Sequence, residues 1–139
     1  MAVETTLVLV KPDGVRRGLC GEIVGRFERR GYELRGARLL RITKALARQH
    51  YAEHRGKPFF GELVEFITSG PVLALAVRGE DAIGGVRGMM GATHPRDAAP
   101  GTIRGDLATL LGENIVHGSD SKPSARRELR LFFPDGLLP

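Results

Sequence analysis

Two unbroken apolar runs constrain this chain more than any other feature: Thr5-Thr-Leu-Val-Leu-Val10 and Val72-Leu-Ala-Leu-Ala-Val77. Strands wetted on one face alternate apolar and polar residues, whereas strands buried on both faces read as continuous hydrophobic stretches. Both runs are therefore expected as inner strands of a sheet. The first ends in Lys11-Pro12-Asp13-Gly14, a strong turn signal. That turn leaves a lysine at the strand's C-terminal mouth, where ligands of open α/β sheets commonly bind.

Helical spacing fills the intervals. Leu19, Ile23, Val24 and Phe27 share one face of a helix from Leu19 to Arg30, which Gly31 closes. Tyr32 to Ile42 reads as a strand, and Thr43 caps a helix from Lys44 to His54. A third helix spans Phe59 to about Ser69, until Gly70-Pro71 breaks it, and a fourth spans Asp81 to Met90. From Gly91 to about Gly112 periodicity is lost. Long loops of this kind tend to be functional, and this one carries Arg96 and Arg104. It leads into a short strand, Asn114-Ile-Val-His117, and a Gly-Ser-Asp-Ser turn. A last helix follows to about Phe133, with an irregular tail behind it. The order is βαββαβ with extra helices: an α+β fold, a ferredoxin-like plait with a four-stranded antiparallel sheet. At 139 residues the chain is expected to be a single domain, 1–139, burying about two-thirds of its unfolded surface.

The net charge of +5 and pI near 10.0 favour anionic partners such as nucleotides, phosphometabolites, nucleic acid or acidic lipid. No apolar run approaches the ~20 residues of a membrane span. The opening residues lack the basic n-region of an export signal. One cysteine, Cys20, excludes an internal disulfide and fits a reducing cytoplasm.

His117 is the residue around which chemistry can be built. A histidine ending a strand before a turn can project one ring nitrogen into a cleft, while Gly118 permits close backbone approach. The bland alternative is a core histidine satisfied by the neighbouring hydroxyls. If His117 accepts a phosphoryl group, it needs an orienting acceptor, cations for the phosphate oxygens and a seat for the leaving nucleotide. Glu128, on the last helix, can orient the ring, and Ser119 can orient the carboxylate. Lys11, Arg87 and Arg104 can supply the charge; alone, the lysine reads equally well as a loop-rim residue, and each arginine reads better as a surface ion pair. Phe59, following a basic loop, can stack a base or simply fill the core. Neither a Gly-x4-Gly-Lys-Ser/Thr loop nor the His-Arg-Asp and Asp-Phe-Gly kinase signature is present.

These residues resemble the nucleoside diphosphate kinase family. Asn114-Ile-Val-His117-Gly-Ser-Asp-Ser121 matches the family's signature around its phosphorylated histidine. The likeness runs through Thr6-Leu-Val-Leu-Val-Lys11-Pro-Asp-Gly14, His50-Tyr51, Lys57-Pro-Phe-Phe60, Ser69-Gly-Pro71 and Pro100-Gly-Thr-Ile-Arg-Gly-Asp106. The resemblance implies a ping-pong transfer of the terminal phosphoryl group from a nucleoside triphosphate to a diphosphate through His117. Lys11, Tyr51 and Arg104 match contacts to the transferred group, and Arg87 and Thr93 match contacts to the inner phosphates. Phe59 matches the base-stacking residue, with Leu63 and Leu111 beside it. Asn114 and Lys11 match contacts to the sugar hydroxyls. His54 falls where some members touch the phosphates. The resemblance further implies Mg²⁺ held mainly by the nucleotide phosphates, and a homo-oligomer, hexamer favoured over tetramer. Stacking is worth about 1–3 kcal/mol for any base, so broad tolerance of base and sugar is expected.

Two departures from the family stand out: Gly84-Gly85 within the helix from Asp81 to Met90, and Ala92 where many members have an acidic residue. Two other readings compete. RNA-recognition plaits stack bases on aromatics of their central strands, but neither apolar run contains one, so nucleic acid is expected as a secondary partner at most. A phosphohistidine relay fed by another protein would not need Phe59, Asn114 and the arginines.

Overall fold

The computed structural model describes residues 2–139. Four strands, β1 (Val3–Val10), β2 (Glu33–Arg41), β3 (Pro71–Glu80) and β4 (Val116–Gly118), form an antiparallel sheet in the order β2-β3-β1-β4. The two apolar runs lie side by side at its centre, with Val8 opposite Leu75. The fold is the α+β plait expected from the sequence.

Alternation along β1 explains why that run needs no polar face. Val8 and Val10 pack with Ile23 and Phe27 of helix α2 (Cys20–Arg29) and Val86 and Met90 of α5 (Ala82–Met90). Leu7 and Leu9 point the other way. Their layer holds Ala47 of α3 (Lys44–His50), Val64 and Ile67 of α4 (Phe60–Ile67), and Phe132 of α7 (Lys122–Phe132). Thr43 caps α3 by accepting from the Leu46 amide, and Ser121 caps α7 by accepting from Ser124.

Local signals misjudged three segments. Lys11-Pro-Asp-Gly is not a turn: Pro12 opens a five-residue helix, α1 (Pro12–Arg16), as proline does where a helix start has no use for its amide. The helix expected to run to His54 stops at His50, and Ala52–His54 continues as a single 3-10 turn. The aperiodic loop is partly ordered, with a 3-10 turn at Pro95–Asp97 and a short helix, α6 (Ile103–Leu107), capped by Thr102. β2 carries a register shift between Leu34 and Gly36, beside the tail. There Leu138 donates its amide to Arg35, and Phe133 and Leu137 lie over Gly36.

Candidate active site

β4 brings His117 beside Leu9 of β1. Gly118 follows because a Cβ there would stand 2.9 Å from Met90 Sδ of α5. The chain then turns through Ser119, whose amide donates to Leu7 while its Oγ accepts from the Leu7 amide. Helix α7 folds back from this turn and returns buried Glu128 to the histidine. Glu128 Oε1 lies 2.8 Å from His117 Nε2 and accepts a second hydrogen bond, also 2.8 Å, from Ser119 Oγ. An ionised carboxylate can only accept, so the proton sits on Nε2. Among the described residues only Nε2 is engaged, and Nδ1 keeps its lone pair on a side chain that is 24% exposed.

Cations converge on the same end of the sheet, and each is tied to the backbone or to a buried amide. Lys11 Nζ donates to Asn114 Oδ1 at 2.8 Å, and Asn114 Nδ2 donates to the Thr93 carbonyl. Arg104 is buried, and its Nε, Nη1 and Nη2 donate to the carbonyls of Asn114, Gly91 and Val116. Arg87 Nη1 donates to Gly118. The guanidinium has five donors, so Arg104 retains two. Burial, and then the neighbouring charge of Arg104, brings the Lys11 ammonium down to about 8. Burial, and then Arg87, lowers Arg104 to about 10, which leaves it charged at neutral pH.

Between these groups sits a strained residue. Ile115 has φ 72°, a left-handed conformation that a β-branched side chain rarely adopts. Asp13 Oδ2 accepts from its amide at 3.0 Å, and its carbonyl accepts from the Lys11 amide at 2.8 Å. With Arg104 gripping the carbonyls on either side, the conformation is held from three directions. Residues in such regions persist only when their surroundings over-determine them.

A line of rings leads outward from the histidine. His50 stands edge-on to His117 at 4.7 Å, Tyr51 adjoins His50, His54 lies 6.2 Å from Tyr51, and Phe59 lies 5.4 Å from His54. Burial, and then the Glu128 charge, raises Tyr51 to about 12, so its phenol stays a proton donor. Phe59 is 44% exposed, with Lys57 Nζ 5.8 Å from its ring centre. Of the apolar residues named with it, Leu63 packs partly into the layer beneath α4, and Leu111 is exposed.

Thus His117, Ser119 and Glu128 form one hydrogen-bonded group, and Lys11, Thr93, Arg104 and Asn114 form another. Arg87 reaches the first through Gly118. Sequence reasoning missed Asp13 and His50. Asp13 lay within the apparent turn, and His50 was noted only as part of a likeness. Its buried ring is visible only once α3 and α7 meet.

Among the described residues, one His/Cys/Asp/Glu group could converge on an ion: His50, His117 and Glu128. Mg²⁺ prefers oxygen ligands, and two imidazoles beside Lys11 and Arg127 do not suit it. No helix among the described residues is long and apolar enough to cross a membrane.

Fold and site together define an anion-receiving α+β plait built around a carboxylate-held histidine. Residues 4–137 match the family model described as Nucleoside diphosphate kinase. A nucleoside diphosphate kinase of Rubrobacter xylanophilus is 64% identical over 131 residues, 94% of this chain and 98% of that one. One from Thermus thermophilus is 58% identical over 137 residues, 98% and 100% of the two chains. Among solved structures, a halophilic nucleoside diphosphate kinase from Halobacterium salinarum in complex with CDP superposes with TM-score 0.96 at 53% identity, covering 99% of this chain and 93% of that chain. A nucleoside diphosphate kinase family protein from Babesia bovis gives 0.95 at 46%, covering 98% and 93%. The chain belongs to the nucleoside diphosphate kinase family.

Proposed function

We propose that this nucleoside diphosphate kinase carries the phosphoryl group on His117. The overall reaction moves the terminal phosphoryl of a nucleoside triphosphate to a nucleoside diphosphate. In the first half, the Nδ1 lone pair attacks the terminal phosphorus, the N–P bond forms and the bond to the β-phosphate oxygen breaks. The nucleoside diphosphate leaves, and a second diphosphate takes the phosphoryl back by the reverse displacement. The proton stays on Nε2 throughout, held by Glu128, whose charge stabilises the ring as it becomes cationic. One observation carries this reading: Glu128 engages Nε2 at 2.8 Å and leaves Nδ1 unengaged on a partly exposed side chain.

The roles of the other residues follow from what each can donate. Lys11, Arg104 and the Tyr51 phenol stabilise the equatorial oxygens of the transferring group, and Arg87 and Thr93 hold the inner phosphates. Phe59 stacks the base, with Leu63 and Leu111 at its margin, and Asn114 with Lys11 receives the sugar hydroxyls. His54, between Tyr51 and Phe59, borders the phosphates. Stacking does not distinguish bases, so the site accepts purines and pyrimidines, and ribose and deoxyribose. Mg²⁺, held mainly by the nucleotide phosphates, supplies charge neutralisation as the phosphoryl moves. The 139 residues act as one domain, in the cytoplasm, as a homo-oligomer with the hexamer favoured.

Incubation with γ-labelled ATP tests the central claim. It should label the chain in an acid-labile, alkali-stable form, and His117→Ala should lose both the label and ATP-to-dTDP exchange. Turnover persisting in that variant rejects the mechanism. Exchange between purified components alone also excludes a relay fed by another protein. Mass in solution decides the assembly.

A further inference from the structure

One buried group has no part in this scheme. His50, the last residue of α3, is 4% exposed, and among the described residues neither ring nitrogen has a hydrogen-bond partner. Unsatisfied buried polar atoms are unfavourable, and an apolar ring would fill the same space without that penalty. The ring is clamped edge-on between His117, 4.7 Å away at 82°, and Phe132, 5.4 Å away at 87°. Ligand atoms of His50, His117 and Glu128 lie within 4.8 Å of one another. Both hydrogen bonds accepted by Glu128 fall on Oε1, so its other oxygen has capacity to spare.

An unpaired donor thus stands within 4.8 Å of a carboxylate that has an under-used oxygen. Resting on the proposed role of His117, we propose that His50 is a positioning residue: its ring N–H becomes the third donor to Glu128 as the phosphoryl group arrives on His117. The phosphorylated ring keeps its Nε2 proton and is cationic, so it needs Glu128 ionised. Hydrogen bonds to a carboxylate favour the ionised form, and this carboxylate is otherwise desolvated. Only an uncharged His50 can act this way beside a cationic partner. Burial, and then His117, Arg127, Lys11 and His54, hold its imidazole well below the usual range. The groups around it are His117 from β4, Arg127 and Glu128 from α7, Lys11 after β1, and Tyr51 and His54 from the turn beyond α3. Arg127 also donates to the carbonyls of Gln49 and His50 and so pins the end of α3 to α7.

His50→Phe keeps the ring and removes the donor, whereas His50→Asn keeps a donor in less volume. Single-turnover phosphorylation by labelled ATP, followed across pH, separates them. His50→Phe should fall by about tenfold or more in phosphorylation rate, with ADP affinity within about twofold of the parent, as loss of orientation alone would give. Its acid limb should move to higher pH. His50→Asn should recover part of the rate. In the unsubstituted protein, the ¹⁵N resonance of His50 should shift when His117 is phosphorylated. A His50→Phe rate within about twofold of the parent with an unmoved acid limb overturns the assignment, as does an unmoved ¹⁵N resonance. If His50→Phe fails to fold, the resonance decides. If the parent itself takes no label, the reading of His117 fails instead.

Discussion

Lys11 and Asn114 stand 103 positions apart and meet through a 2.8 Å hydrogen bond from Nζ to Oδ1. The same amide donates to the Thr93 carbonyl, so one buried side chain joins the end of β1, the entry to β4 and the segment after α5. Asn114→Ala strands the Thr93 carbonyl and frees the lysine. A loss of about 1–3 kcal/mol in unfolding free energy is expected, read from urea midpoints. Nucleotide affinity should weaken with it, because the ammonium loses its anchor.

Lys11 also sets a pH dependence. Its charge is disfavoured in the empty enzyme, where burial and Arg104 bring it down to about 8. A depressed lysine opposes folding while it is protonated, and that opposition is lost as pH rises from about 8 to the unfolded value near 10.5. Bound phosphates reverse the situation by favouring the ammonium. Nucleotide binding should therefore take up protons just above pH 8 and few at pH 6 (approximate bounds). Calorimetry in buffers of different ionisation enthalpy reads this directly; equal enthalpies at the higher pH refute it.

The left-handed Ile115 depends on Asp13. Asp13→Ala leaves the Ile115 amide buried without its acceptor, at a cost of about 1–3 kcal/mol, and lets the backbone ahead of His117 relax. Thermal unfolding should register the loss, and phosphorylation should slow even where the protein is fully folded. Asp13→Asn, which retains an acceptor oxygen, should recover most of both. Equal effects of the two substitutions would show that the acceptor is not what matters.

Helix α5 separates tolerated from required glycines. A Cβ at Gly84 or Gly88 meets open space, whereas one at Gly85 would stand 2.1 Å from the Tyr32 hydroxyl. Gly84→Ala should stabilise the isolated fold by about 0.5–1 kcal/mol through helix propensity. Gly85→Ala should do the opposite. Differential scanning calorimetry of the two variants distinguishes a propensity effect from a packing one.

What the sequence revealed and what it hid divide along physical lines. The inner strands were legible because burial on both faces forces β1 and β3 to be apolar throughout. The cap at Thr43 was legible because capping acts within three residues. His117, Ser119 and Glu128 could be grouped because the turn between them is short. Asp13 was hidden because its partner, Ile115, is 102 positions away. The strain at Ile115 was hidden because an isoleucine gives no local sign of φ 72°. Arg104 was read as a cation reaching for phosphate, but the structure also uses it to grip three carbonyls, and no spacing rule expresses that double use.

That grip determines how the cleft meets a newcomer. Three of the five Arg104 donors are committed before anything binds, so the guanidinium is immobilised when the chain folds rather than when an anion lands. Arrival and departure then require little reordering of this positive charge, and a lysine in its place, flexible and point-like, would have to be captured anew on every visit.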